Sequence, residues 1–167
     1  MVTGALEIFF GPKTKRKEWM RISDCLCKVE FLDVATRDEA IQALAHSLAS
    51  CAELVDPAAF FKAVLQREQI VSTGIGMGVA VPHAKLSSFQ NFYLVVGIQK
   101  SKGIEWNSLD HLPVQLIFLI GGPDDRQGEY LQILSQLTFA IKGADFRNEL
   151  LRAASADEVI ALFSKTS

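Results

Sequence analysis

Between Arg67 and His83 the chain reads Arg-Glu-Gln-Ile-Val-Ser-Thr-Gly-Ile-Gly-Met-Gly-Val-Ala-Val-Pro-His, which puts a guanidinium, two hydroxyls, three alternating glycines and an imidazole in one short segment. These are groups that handle an anion. Glycine at 74, 76 and 78 permits positive φ and lets bare backbone N–H groups approach a ligand, and oriented N–H groups favour negative charge. Ser72 and Thr73 add hydroxyl donors directly upstream. Val79, Ala80 and Val81 form a short apolar run that suits a buried strand, so His83 is expected at a strand end. Pro82 fixes its own φ and biases Val81 toward extended geometry, which aims the ring. An imidazole held through one nitrogen presents the other as a nucleophile near neutral pH, and such a nitrogen can accept a phosphoryl group.

From the residues alone, two structural alternatives stand beside this reading. The glycines can make a plain turn next to a buried histidine, and Arg67 can complement the dipole at a helix C-terminus instead of matching phosphate oxygens with its planar donors. A nucleotide loop does not fit. The dinucleotide pattern G-x-G-x-x-G joins a strand to a helix, whereas here polar Ser72-Thr73 precede and an apolar strand follows, and no G-x-x-x-x-G-K-[ST] occurs.

The elements that must hold these groups are legible in outline. Lys28 to Val34 predicts a first strand, and Thr36-Arg-Asp-Glu39 has the form of a capping box opening a helix with Ile41, Leu44, Ala45 and Leu48 inward. His46 points away from that stripe and receives no role. Asp56-Pro57 supplies an N-cap and a first-turn proline for a second helix, with Phe60, Val64 and Leu65 inward and Arg67 at its end. Strands are predicted over 92–99 and 114–120, joined by a loop containing Trp106, Asp110 and a surface His111. Gly121-Gly122-Pro123 closes the second of them. A helix over 129–142, with Leu131, Leu134, Leu137, Thr138 and Ile141 supplying its apolar face, ends at Gly143. A short helix near 145–153 and a last one capped by Ser155 and Glu158 follow. This order predicts an α/β fold, a single domain with a mixed β-sheet flanked by helices.

Composition bounds the function. At 167 residues and 49% hydrophobic, the chain is long enough for one well-buried domain. A net charge of −2, with basic residues dispersed apart from Lys13 to Lys17, argues against nucleic-acid binding. No apolar run approaches the roughly 20 residues that span a bilayer. Positive charge follows the apolar Ala5 to Phe10 instead of preceding it, unlike a secretory signal. A cytoplasmic location without membrane insertion is expected. Cys25, Cys27 and Cys51 lack the spacing of a zinc pair and the three histidines lack that of a metal set, so reduced thiols, no metal and no cofactor are expected.

The run Ser-Thr-Gly-Ile-Gly-Met-Gly-Val-Ala-Val-Pro-His, preceded by Arg-Glu, resembles the active-site signature of fructose/mannitol-type enzyme IIA domains of the bacterial phosphotransferase system. Lys85-Leu86 after the histidine resembles the nitrogen-regulatory, PtsN-like branch more than the sugar-transport branch. The resemblance runs from about Ile22 to the C-terminus, so residues 1–20 are set apart as an extension of unknown role and 21–167 as the enzyme IIA-like domain. It implies the enzyme IIA fructose/mannitol-type fold. It further implies that His83 is the phosphoryl acceptor and that Arg67 steadies the phosphate charge; Ser72, Thr73, Gly74, Gly76 and Gly78 are expected from their donors to bind the phosphate. An HPr-like phosphocarrier would be the donor. The recipient would be a regulatory target or an enzyme IIB component, and a phosphorylation-independent binding protein is a third reading. Where that family commonly carries a second histidine, this chain has Tyr130, which with Lys85 would support the site from behind. A phenol donates one hydrogen bond but does not become cationic. Ile75, Met77 and Phe89 suit either an apolar rim around the site or the core.

Overall fold

The structure is a computed structural model that describes residues 20–166, so the expected N-terminal extension, Met20 aside, lies outside the described residues. One helical turn, α1 (Ile22–Cys25), runs directly into β1 (Leu26–Leu32). Two helices follow, α2 (Arg37–Cys51) and α3 (Pro57–Ile70). Each starts where its sequence supplies a cap. The Thr36 hydroxyl accepts from the Glu39 N–H while the Glu39 carboxylate accepts from the Thr36 N–H, and the Asp56 carboxylate accepts from the Ala59 N–H ahead of Pro57.

Three short strands come next, β2 (Gly74–Gly76), β3 (Val79–Ala80) and β4 (His83–Lys85), then the long β5 (Tyr93–Gln99) and β6 (Leu116–Gly122). The chain ends in α4 (Gln127–Lys142), α5 (Ala144–Arg152) and α6 (Ala156–Ser164). The six strands form one mixed sheet in the order β1-β5-β6-β3-β2, with β4 also on β6. β5 and β6 pair antiparallel; β1 runs parallel to β5, and β3 and β4 run parallel to β6.

Burial on both faces explains why β5 and β6 read as continuous apolar runs instead of alternating ones. Leu94, Val96, Ile98, Leu116, Phe118 and Ile120 face a core completed by Ile22, Ile133, Leu150 and Phe163 from the terminal helices. Val95, Ile117 and Leu119 face the opposite core with Ile41, Leu44, Leu48, Phe60 and Val64 of α2 and α3. The result is a single-domain helix–sheet–helix sandwich, as the order of elements predicts.

β3 and β4 keep one register against β6, Ala80 opposite Ile117 and His83 opposite Ile120, so they are one strand interrupted at Val81-Pro82. Proline has no N–H for the ladder. Its carbonyl still accepts from the Ile120 N–H at 3.0 Å, while the Val81 N–H turns away to the Thr73 carbonyl at 3.0 Å. Alternation survives the break: Val79 and Val81 face the core on the α4 side, Ala80 and Ala84 face the opposite core, and His83 keeps the α4 side, where its ring packs on Tyr130.

Three expectations shift. β1 ends at Leu32 rather than Val34, because the Gln99 side chain takes over the Val34 N–H (3.3 Å) and carbonyl (2.8 Å) that a ladder would have used. Gly121 and Gly122 lie inside β6, paired with Ala84 and Lys85 of β4, instead of closing the strand. On α4 the buried stripe is Tyr130, Ile133, Leu137, Ala140 and Ile141, and Leu131 is 52% exposed. A Leu-rich stretch marks a helix without saying which leucines turn inward.

Gly122 is the tightest of these positions, since a Cβ there would stand 2.0 Å from Phe92 Cδ1. Gly122→Ala is expected to lower unfolding stability in urea by about 1–3 kcal/mol through overpacking. An unchanged midpoint would show that Phe92 has room the packing denies it.

Candidate functional site

His83 opens β4, and its Nδ1 lies 3.0 Å from the Val81 carbonyl across Pro82. A carbonyl only accepts, so Nδ1 carries the proton and Nε2 keeps its lone pair. The ring is half-buried. Burial pushes its pKa below the usual histidine value; the Val81 bond opposes this, the Arg67 and Lys85 cations reinforce it, and Glu68 opposes it more weakly. The neutral, nucleophilic form therefore predominates at pH 7.

His83 lines a groove of about 400 Å³ shared with Arg67, Ser72, Thr73, Ile75, Met77, Val81 and Tyr130, with Leu134, Thr138, Ile141 and Lys142 of α4 along the far wall. The Tyr130 ring packs on the imidazole with centroids 5.5 Å apart at 39°, and stacks behind on Phe92 at 6.4 Å. Lys85 Nζ stands 4.6 Å over the Tyr130 ring and bonds the Gln127 side chain. Burial raises the phenol's pKa, with Arg67 partly offsetting, so Tyr130 is a neutral hydroxyl wall. It supplies an aromatic surface and a cation–π seat for Lys85.

The sequence-predicted residues divide here. His83, Arg67, Ser72, Thr73, Ile75, Met77 and Tyr130 meet at the groove, whereas Gly74, Gly76, Gly78 and Phe89 do not line it. Phe89 is buried on the opposite side of the sheet against Phe60 and Tyr93. The glycine segment is a tight β2–β3 hairpin with Met77 at φ 60° and Gly78 at φ 74°, both positive as the right-handed strand twist requires. An anion does sit at this turn, but it belongs to the chain: Asp110 Oδ2 accepts from the Met77 N–H at 2.8 Å. Gly74 has no positive φ; its bare Cα admits Ser108, whose Oγ would lie 2.3 Å from an added Cβ.

The hydroxyls are likewise engaged inward. Ser72 Oγ donates to the Trp106 carbonyl at 2.8 Å and accepts from the Gly74 N–H at 3.1 Å. Thr73 Oγ1 donates to Glu68 Oε2 at 2.6 Å. Both hydroxyl protons are given to protein acceptors. Arg67, in the last turn of α3, donates through Nη1 to the Val71 carbonyl at 2.9 Å. That is the helix-end role of the structural alternative, yet the guanidinium also lines the groove, and one contact does not exhaust its five donors.

Glu68 and Asp110 were missed as positioning groups. Glu68 is 3% exposed, and its carboxylate accepts from the Thr73 N–H (2.8 Å), the Thr73 hydroxyl and the Trp106 indole (3.0 Å). A signal existed, because Phe60, Val64 and Glu68 repeat every fourth residue, which puts a carboxylate on the buried stripe. Asp110 gave none. Among the described residues no group of three His, Cys, Asp or Glu is placed to hold a metal, and no helix is long and apolar enough to cross a membrane. Cys25, Cys27 and Cys51 are free thiols, with burial pushing Cys25 up to about 12.

A family model described as phosphoenolpyruvate-dependent sugar phosphotransferase system, EIIA 2, matches residues 28–166. The chain is 32% identical over 149 residues to the fructose-specific EIIABC component of Bacillus subtilis, covering 87% of itself and 23% of that protein. It is 27% identical over 147 residues to a nitrogen regulatory protein of Bradyrhizobium diazoefficiens, covering 87% of itself and 95% of that protein. The crystal structure of nitrogen regulatory protein IIA-Ntr from Neisseria meningitidis superposes with a TM-score of 0.79 at 27% identity, over 85% of this chain and 98% of that one.

Two measurements check this geometry. By NMR, His83 is expected to titrate below the ordinary value of about 6.5, and Arg67→Gln, by removing a cation that disfavours the imidazolium, is expected to raise it. A wild-type titration at or above the ordinary value would contradict the buried, neutral ring. Glu68→Ala strands three buried donors at about 1–3 kcal/mol each, so a loss of at least about 3 kcal/mol in urea unfolding, with a shift in Trp106 fluorescence, is expected.

Proposed function

The chain belongs to the phosphoenolpyruvate-dependent sugar phosphotransferase system EIIA 2 family, and from that premise we propose that it is a phosphohistidine carrier with His83 as acceptor, serving nitrogen or metabolic regulation. A member of this family is a phosphoryl-transfer component and not a stand-alone catalyst. The observation that carries the assignment of His83 is its anchoring. Nδ1 donates to the Val81 carbonyl, so the nucleophilic Nε2 is the nitrogen left for the groove.

The proposed step runs in line between two imidazoles. The lone pair of neutral His83 Nε2 attacks phosphorus, the P–N bond to the histidine of an HPr-like carrier breaks, and that nitrogen recovers its own lone pair. No proton needs to move. The transition state is loose, with charge spread over the phosphoryl oxygens, so catalysis is positioning plus charge balance. Arg67 supplies the cation from the groove wall, and Lys85 stands over the Tyr130 ring that packs on His83. The Val81 carbonyl steadies the positive charge that develops on the ring once Nε2 bonds phosphorus. Ser72 and Thr73 shape the wall and leave the donor role to Arg67.

The regulatory role is supported by likeness along nearly the whole length of a nitrogen regulatory protein. Phosphorylation adds about two negative charges at one surface point, enough to change which protein the groove binds. The second reading, a sugar-specific component that passes the group to an enzyme IIB partner, is supported by likeness to a fructose-specific component of which the chain spans about a quarter.

Incubation with phosphoenolpyruvate, enzyme I and HPr-type carriers is expected to yield an acid-labile adduct, read by intact mass, that is absent in His83→Ala. Because His83 stays neutral further into acid than an ordinary histidine, the uptake rate is expected to hold level as pH falls through about 6.5 and to drop only below that. Preference for a regulatory over a sugar-branch carrier separates the two readings. No adduct with any carrier, while a known acceptor labels alongside, would leave a phosphorylation-independent binding protein.

A further inference from the structure

On the side of the sheet away from the His83 groove, where α2 and α3 pack, two thiols meet. Cys51 is the last residue of α2 and Cys27 the second of β1. The Cys51 thiol donates to the Cys27 carbonyl at 3.6 Å, and the two side chains hydrogen-bond each other as well. The packing of α2 on β1 builds this contact. One helical turn before Cys51, Ser47 Oγ donates to Glu30 Oε1 at 2.5 Å, so two residues on one face of the helix are held by two residues of the strand.

A β-bulge adds a second constraint. Leu26 and Lys28 oppose the consecutive residues Leu94 and Val95 of β5, which leaves Cys27 as the extra residue, at the position where a bulge re-aims a side chain. It packs with the core under α2 and α3. Cys25, two residues earlier, is buried in the other core, where its thiol donates to the Arg21 carbonyl at 3.7 Å. Of the three cysteines in the chain, the pair is therefore Cys27 and Cys51.

The pair is also reachable from water. Both residues are half-buried, and Cys51 lines a groove of about 740 Å³ shared with Glu53, Val55, Asp56, Ser87 and Tyr93. Cys27 stands behind it. Burial first, and then the bond to Cys51, push the Cys27 thiol far up, so it stays protonated and is a poor first target for an oxidant.

We infer that Cys27 and Cys51 form a dithiol modification site that a small hydroperoxide closes to a reversible disulfide. Cys51, as its thiolate, attacks one oxygen of the hydroperoxide; the O–O bond breaks, the other oxygen leaves as alcohol or water after taking up a proton, and Cys51 becomes a sulfenic acid. The Cys27 sulfur then attacks the Cys51 sulfur, the S–O bond breaks, and hydroxide leaves as water with the proton from Cys27. Two thiols are oxidised to one disulfide, and the hydroperoxide is reduced. The neighbouring thiol halts oxidation at this reversible step, before sulfinic acid forms. Because the bond closes the chain from Cys27 to Cys51 into a loop, it also lowers the entropy of the unfolded state. Neither cysteine lines the His83 groove, so the inference stands apart from the phosphohistidine reading.

The test treats the full, pre-reduced chain with hydrogen peroxide, blocks remaining thiols with iodoacetamide and maps the peptides by mass. A linked Cys27–Cys51 peptide is expected, with Cys25 as the one alkylated thiol and full recovery of all three in dithiothreitol. The linked form should unfold at a higher urea concentration than the reduced form. Cys25→Ser should leave the link in place, whereas Cys27→Ser should abolish it and let Cys51 pass on to sulfinic acid. Three thiols that all alkylate after peroxide, a link that includes Cys25, a Cys51–Cys51 link between two chains, or passage of wild-type Cys51 straight to sulfinic acid overturns the inference.

Discussion

A buried carboxylate organises this molecule. Glu68 accepts from the Thr73 N–H, the Thr73 hydroxyl and the Trp106 indole, and a carboxylate removed from water is tolerable only with its acceptor sites filled in this way. Those bonds fasten the end of α3 to the strand region and to the loop before β6. From Thr73 the chain of bonds continues, since its carbonyl accepts from the Val81 N–H and the Val81 carbonyl accepts from His83 Nδ1. The orientation of the imidazole is thus set by a carboxylate fifteen positions earlier in the sequence, through four hydrogen-bonded groups and no flexible side chain longer than threonine.

Proline does the complementary work. Side chains from Val79 to Lys85 alternate as in a regular strand, with Val79, Val81 and His83 on the α4 face and Ala80 and Ala84 on the other. Pro82 interrupts the ladder while the register on β6 survives on both sides, and His83 Nδ1 reaches back across it to the Val81 carbonyl, so the strand itself holds the ring. The half-buried ring that results has a depressed pKa because burial and the neighbouring cations act in the same direction.

Much of this was legible in the chain itself. The capping box of α2, the Asp-Pro start of α3 and the apolar runs of β5 and β6 are local signals, and local signals survive folding. Val81-Pro82-His83 was legible for the same reason, because proline acts on its immediate neighbours. The glycine hairpin was legible in part: glycines at 76 and 78 announce positive φ, yet that the Met77 N–H between them meets a carboxylate depends on Asp110, brought in by the loop before β6. Phe89, which by sequence suited rim or core, is core on the other face of the sheet. Glu68 was half legible, on the apolar stripe but indistinguishable there from a solvated glutamate until Trp106 and Thr73 arrive.

The bond between His83 Nδ1 and the Val81 carbonyl also has a regiochemical consequence. A histidine carries phosphate as one of two isomers, and an acceptor whose Nδ1 already holds a proton for its own backbone can form only the Nε2 adduct. Under the proposed function the product is therefore a single isomer, and its identity follows from the fold of the chain and not from whichever donor delivers the group.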